Sequence, residues 1–284
     1  MTKGVRTAPA EPHPDTPGAW SASRVVRVSW WEMAVVVLAA VWAGGINTVV
    51  GSGTLVTFPT LLALGVPAVS ANISNSVGLV FGGISGTIGY LPELKGMFRR
   101  TMQLVPMSVL GSIIGALLLL WLPPDAFEAI VPVLIAIGVL LVVLGPRLQE
   151  WAKSNHEEGA RTPVSHAVAL MGGVLFAGVY GGYFGAAQGV ILIGLLSVLA
   201  TEPLQSLNGL KNALGTIVNA VCSLVFIIAA PDLVDWSIVA LVAVGAVVGG
   251  VLGAKFGRRL PPPVLRGVIV LVGLAGLVKF VFFP

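Results

Sequence analysis

The sequence predicts an all-α polytopic membrane protein of about eight to ten membrane segments, organised as two structural repeats of inverted topology, each with a Gly-rich broken or re-entrant helix. Three observations predict it. Hydrophobic residues make up 56% of the 284-residue chain and charged residues only 10%, against roughly 25% charged in ordinary soluble domains. Long apolar runs recur along the chain, each near the length of a bilayer crossing. Two shorter apolar runs, each following a glycine-rich stretch, occupy matching places in the two halves.

Residues 1–29 carry Pro9, Pro12, Pro14 and Pro17 with scattered charge and no apolar core, which predicts a disordered N-terminal tail and not a signal peptide. The first membrane repeat, 30–145, holds apolar runs at 31–50, 69–91, 102–122 and 127–144. A polar linker, 146–163, precedes the second membrane repeat, 164–284, with runs at 164–184, 204–230, 236–256 and 264–283. The short runs, 55–64 and 190–200, cannot comfortably span a bilayer, and a broken or re-entrant helix is their natural form.

Identities support the repeat. Ala43-Gly44, Gly51, Val56 and Leu61-Leu62 recur as Ala177-Gly178, Gly185, Val190 and Leu195-Leu196 at one constant offset. Asn75 and Gly78 recur as Asn212 and Gly215 at an offset three residues larger, which places a small insertion near 201–203. The shared order of long run, Gly-rich break, short run and Asn-bearing helix carries more weight than the identities.

Loop charges predict inversion. Lys95, Arg99 and Arg100 follow the first Asn-bearing helix and Asp125 and Glu128 the next; in the second half Asp232 and Asp235 come first, and Lys255, Arg258, Arg259 and Arg266 surround the following loop. With basic loops inside, the halves have opposite topology and both termini lie outside, although Arg24 and Arg27 oppose an external N-terminus. Two paths satisfy this parity: ten full spans, or six spans plus two re-entrant hairpins.

The breaks are the candidate chemistry. The first break, Gly44-Gly45-Ile46-Asn47-Thr48-Val49-Val50-Gly51-Ser52-Gly53-Thr54, and the second, Gly178-Val179-Tyr180-Gly181-Gly182-Tyr183-Phe184-Gly185-Ala186-Ala187-Gln188-Gly189, would let the backbone turn sharply and leave amide groups free at a helix start, where partial positive charge suits an anion. At membrane depth such backbone is tolerated only when buried in protein or lining a cavity. Glycines elsewhere are expected to serve close helix packing. Asn47, Thr48, Ser52 and Thr54 cluster near the first break, with Asn72, Ser74, Asn75 and Ser76 beyond it; the second half offers Tyr183, Gln188, Asn208, Lys211 and Asn212. The candidate binding set is therefore Gly51, Ser52, Gly53, Thr54, Asn72, Asn75, Gly185, Gln188, Gly189, Asn208, Lys211 and Asn212. An amine within an apolar helix is costly without a partner, so Lys211 either meets the ligand or snorkels to the interface.

What the apolar runs lack bounds the rest. No carboxylate falls mid-segment, His13, His156 and His166 form no cluster, and Cys222 is the sole cysteine. The pattern points to no catalytic group, no metal site, no cofactor and no Asp/Glu proton relay. The formal charge of +4 resides in loops and speaks for orientation in the bilayer, not for nucleic-acid binding.

The stretch from Val50-Gly51-Ser52-Gly53-Thr54 through Phe58-Pro59-Thr60-Leu61-Leu62, the segment 178–189 and the run Leu207-Asn208-Gly209-Leu210-Lys211-Asn212 together resemble the sulfite exporter TauE/SafE family. The resemblance runs from about residue 31 to the C-terminus. It departs at Gly53-Thr54, where the family often continues with glycine, and at Ala187-Gln188 and Ile193, where Gly-Gly and proline are common. The resemblance implies a multi-pass permease of a bacterial-type inner membrane that moves a small sulfur-containing anion such as sulfite, a sulfonate or sulfoacetate, as an exporter, with the lipid bilayer as its other partner. Uptake of another small anion, or a non-transporting accessory role, are the alternatives. The substrate, coupling ion and oligomeric state are not legible in the residues.

Overall fold

The computed structural model describes residues 29–154, 164–200, 202–256 and 262–282, and no strand occurs among them. The tail expected at 1–29, apart from Ser29, lies outside the described residues, as do Arg258, Arg259 and the linker from 155 to 163. The helices are α1 (Trp30–Val49), α2 (Thr54–Ala63), α3 (Ala68–Gly89), α4 (Leu91–Leu94), α5 (Phe98–Trp121), α6 (Pro124–Ser154), α7 (Val164–Tyr183), α8 (Gln188–Leu199), α9 (Leu204–Ala229), α10 (Trp236–Phe256) and α11 (Pro262–Phe282). Among the described residues, six helices are long and apolar enough to cross a membrane: α1, α5, α6, α7, α9 and α10.

Two elements differ from a simple hydropathy reading. Helix α6 continues to Ser154, past the boundary expected at 145, because Arg147, Gln149, Glu150 and Lys153 are good helix formers and let the helix run on beyond its apolar part. Helix α3 is long, but its polar residues Asn72, Ser74, Asn75 and Ser76 are buried while Phe81 and Ile88 are exposed. Its polar residues are enclosed by protein together with Ile73, Val77 and Leu79, and its exposed positions carry large apolar side chains, the arrangement that lipid as solvent demands.

Glycine stripes set the helix partners. A Cβ on Gly245, Gly249 or Gly253 of α10 would run into Val37, Val41 or Gly45 of α1, so the two helices lie in backbone contact and parallel. Gly111 and Gly115 of α5 meet Gly178 and Gly182 of α7 in the same way. Small residues one turn apart allow this approach, and dispersion holds it where lipid supplies no hydrophobic force. The packing function expected for glycines outside the breaks is what these positions do. It also claims Gly44, Gly178 and Gly182, which belong to the Gly-rich stretches themselves.

Each short helix folds back on its predecessor. Gly53 sits beside Ala43 and Asn47, and the far end of α2, at Leu61 and Leu64, reaches Glu32 and Val36 at the start of α1. Likewise the Gln188 side chain lies on Gly181, and Leu195 of α8 lies on Gly173 of α7. At the α1 entrance, Glu32 Oε2 accepts from Ser29 N–H at 2.6 Å, which satisfies the N-cap donor.

Candidate functional site

The two helix breaks close with the same backbone. Val50 N–H and Gly51 N–H both donate to Ile46 O, at 2.7 and 3.0 Å; Phe184 N–H and Gly185 N–H both donate to Tyr180 O, at 2.9 and 3.1 Å. Gly51 and Gly185 then take φ of 89° and 76°, the left-handed region where glycine carries no Cβ penalty. These pairs lie at the constant offset that relates the two halves in sequence. The breaks also touch. Gly189 N–H donates to Gly51 O at 2.9 Å, and a Cβ on either glycine would overlap the Cα of the other.

Beside this contact lies a cavity of about 20 Å³, space for about one water molecule. Its polar wall is built on α9. Lys211 is 2% exposed, and its Nζ donates to Thr48 O at 3.2 Å and Val49 O at 3.4 Å. The side chain has not snorkelled to the surface. Asn212 Nδ2 donates to Thr48 O at 3.0 Å. Together they cap the last carbonyls of α1, which face away from any continuing helix because the chain has broken there. A cation at a helix C-terminus is also favoured by the helix dipole. Glu202, the nearest carboxylate in sequence, lies 3.5 Å from Arg100 Nε and so is engaged elsewhere. No Asp or Glu is among the residues lining the cavity.

Of the expected set, Gly51, Thr54, Gly185, Gln188, Gly189, Lys211 and Asn212 line this cavity. Ser52, Gly53, Asn72, Asn75 and Asn208 do not. Asn208 is only partly buried, one turn before Asn212, and Gly53 supports the α1 to α2 turn. Six further residues join the wall: Asn47, Thr48, Gly83, Gly215, Thr216 and Asn219. Helical spacing offered the signal for two of them, since Thr216 and Asn219 stand four and seven residues after Asn212 and share its face. Thr216 Oγ1 donates to Asn212 O at 2.7 Å and lies 3.0 Å from Thr87 Oγ1, which fixes its rotamer. Gly215 has open space where a Cβ would stand.

On the other side of the break contact the surroundings differ. Asn72 Nδ2 donates to Tyr183 O, at the end of α7, at 3.0 Å. The Tyr183 ring stands edge-on to Phe127 at 5.7 Å; Phe127 and Phe58 both pack on Phe184, at 6.1 and 5.1 Å. Asn75 is 0% exposed, and neither its Nδ2 nor its Oδ1 has a hydrogen-bond partner; Ser52 Oγ, Asn72 Oδ1 and Gln188 Nε2 are also unpaired. An unpaired buried polar group costs about 1–3 kcal/mol.

The family model described as "Sulfite exporter TauE/SafE" matches residues 36–280. A probable membrane transporter protein, ORF9, from Sinorhizobium sp is 26% identical over 259 residues, covering 89% of this chain and 93% of its own length. Probable membrane transporter protein YfcA of Escherichia coli K12 is 28% identical over 257 residues, covering 88% and 90%. YdhB of Bacillus subtilis, also a probable membrane transporter protein, is 25% identical over 236 residues, covering 80% and 90%. No solved structure matches.

Proposed function

Because the chain belongs to the sulfite exporter TauE/SafE family of membrane transporters, a multi-pass assignment to the bacterial inner membrane that its apolar helices share, we propose that it carries a small sulfur-containing oxyanion outward through the cavity beside the Gly51–Gly189 contact. One observation carries this reading: the cavity holds a buried lysine amine, Lys211, whose partners are the neutral carbonyls of Thr48 and Val49, with no carboxylate among the residues that line the cavity. An amine buried without a counter-charge is stabilised in its charged form by an anion bound beside it.

The remaining donors suit an oxyanion. Lys211 Nζ has three N–H bonds and directs two at carbonyls, and the Gln188 amide has an unpaired N–H. The start of α8 adds the favourable end of a helix dipole, but its amides are not free as the sequence suggested: Gln188, Gly189, Val190 and Ile191 N–H donate to Gly185, Gly51 and Ala187 carbonyls in this conformation. The space present fits about one water, so the anion enters as the walls part, and breaking the Gly189 N–H to Gly51 O bond frees a further donor. Of the two paths that the loop charges allow, this reading takes six crossings (α3, α5, α6, α9, α10 and α11) with α1–α2 and α7–α8 as two hairpins entering from opposite faces; α1 and α7 are themselves long and apolar enough to cross, and ten full spans is the alternative. Lys95, Arg99 and Arg100 then mark the cytoplasmic end.

An inside-negative potential favours outward movement of an anion by about 2.3 kcal/mol per charge per 100 mV, so export needs no coupled proton. Purified protein in liposomes tests this. Sulfite efflux should rise with an imposed inside-negative voltage, and acetate should not compete. Sulfite flux that required a proton gradient and ignored voltage overturns the mechanism, and absence of flux by the purified protein overturns the transport of this substrate.

A further inference from the structure

We propose that Asn75, with Asn72, forms a second, neutral half-site for the transported oxyanion, shut in this conformation by the rings of Phe58, Phe127, Tyr183 and Phe184. The inference rests on the transport reading above and adds the place where the anion goes next. Asn75 is fully buried with both amide atoms unpaired, and Asn72 Oδ1 is unpaired beside it in sequence. Buried amides are nearly always hydrogen-bonded in native structures. A pair left unpaired in one state of a moving protein points to another state in which it is paired.

The two Asn-bearing helices do reciprocal work. On α9, Asn212 holds Thr48 O at the end of α1; on α3, Asn72 holds Tyr183 O at the end of α7. Asn75 stands on α3 at the sequence position that matches Asn212. Around Asn212 there is a cavity. Around Tyr183 there are rings, drawn from α2, α6 and the end of α7, with Phe58, Phe127 and Phe184 each fully buried. Sliding of α2 and α6 against the end of α7 separates these rings and opens the Asn75 side toward the end of the molecule that carries Asp125 and Asp235.

The chemistry there is weaker by design of the side chains. The residue matching Lys211 is Ser74, whose Oγ accepts from Asp235 N–H at 2.9 Å. An anion leaving Lys211 therefore meets only neutral amide donors, a step that favours release over retention.

Accessibility tests the proposal directly. In a Cys222→Ser background, Ser76→Cys, a near-isosteric change beside Asn75 that leaves both amides in place, is reacted with a membrane-impermeant thiol reagent in vesicles of each orientation, with and without Phe127→Ala. Phe127→Ala should speed labelling several-fold from the Asp125/Asp235 face alone, and millimolar sulfite should slow it beyond the slowing of free cysteine labelled in the same buffer, which measures the reagent that sulfite itself consumes. Phe58→Leu, a gentler change to the same ring group, should act in the same direction where Phe127→Ala fails to yield monodisperse protein. Labelling indifferent to both ring substitutions, labelling accelerated from the opposite face, or labelling unaffected by sulfite overturns the half-site. Sulfite flux of the unsubstituted protein is measured separately, so its absence strikes the substrate reading while faster labelling still supports the aromatic closure.

Discussion

At the end of α1, Ile46 O receives both closing N–H groups and the carbonyls beyond it meet a cation and an amide, Lys211 and Asn212. At the end of α7, Tyr180 O receives the equivalent pair, yet Tyr183 O meets only the amide of Asn72, and phenyl rings fill the surroundings. The backbone of a helix break is set locally, by a glycine that can take positive φ. What the break can bind is set by the helix that the other half of the chain lays across it. Equal backbones thus carry unequal chemistry, one end cationic and hollow, the other neutral and closed.

The largest expected effect comes from the contact both breaks share. Gly51→Ala adds a positive-φ penalty and an overlap with the Gly189 backbone, costing about 3 kcal/mol or more; thermal unfolding in detergent should show a large loss or no folded protein. Gly185→Ala separates the breaks, because its Cβ would meet Gly181 O at 3.2 Å and Thr54 Oγ1 at 3.8 Å, with no overlap on the other break's backbone. It should cost about 1–2 kcal/mol, mostly from backbone conformation. Equal losses for the two would remove the asymmetry of the tips.

Lys211→Met tests the chemistry instead. Sulfite flux should fall by about a hundredfold, the loss of a charge-assisted partner worth some 3 kcal/mol, while the protein stays folded; retained flux removes Lys211 from the site. Gly215→Ala places a methyl in the cavity where nothing opposes it, so the melting temperature should hold within a degree or so while flux of the bulkier sulfonates drops more than that of sulfite. The smallest effect is at Ala187, which adopts φ 60° at the second break. Ala187→Gly relieves a left-handed alanine and should stabilise by about 0.5 kcal/mol after the entropy that glycine adds to the unfolded chain.

Much of this was legible in order along the chain. Any stretch in lipid must satisfy its own backbone and show apolar side chains, so the membrane class, the helices and their glycine breaks follow from consecutive residues. The absence of carboxylates from the apolar runs already pointed away from a cation site, and Lys211 was visible as the exception. Asn72 and Asn75 were expected at the same site as Asn212, and the fold separates them from its cavity. Sequence offset identifies matching positions but not which side of a break contact each one faces. Thr216 and Asn219 were readable from helical spacing once Asn212 had been chosen; Gly215 was marked only as the repeat partner of Gly78, and Gly83 was one glycine among 36.

The sequence by itself determined an all-helical membrane chain with two glycine breaks at matching places and Lys211 within an apolar helix, because bilayer length, helix periodicity and glycine's free φ act on neighbouring residues. Only the tertiary structure decided that α9 caps α1 while α3 caps α7, that Lys211 turns inward to carbonyls, and that space remains on one side of the break contact. Those outcomes depend on which helix faces meet across the two halves, where backbone contacts such as Gly249 on Val41 and Gly115 on Val179 set the rotation of each helix. No local pattern encodes that choice.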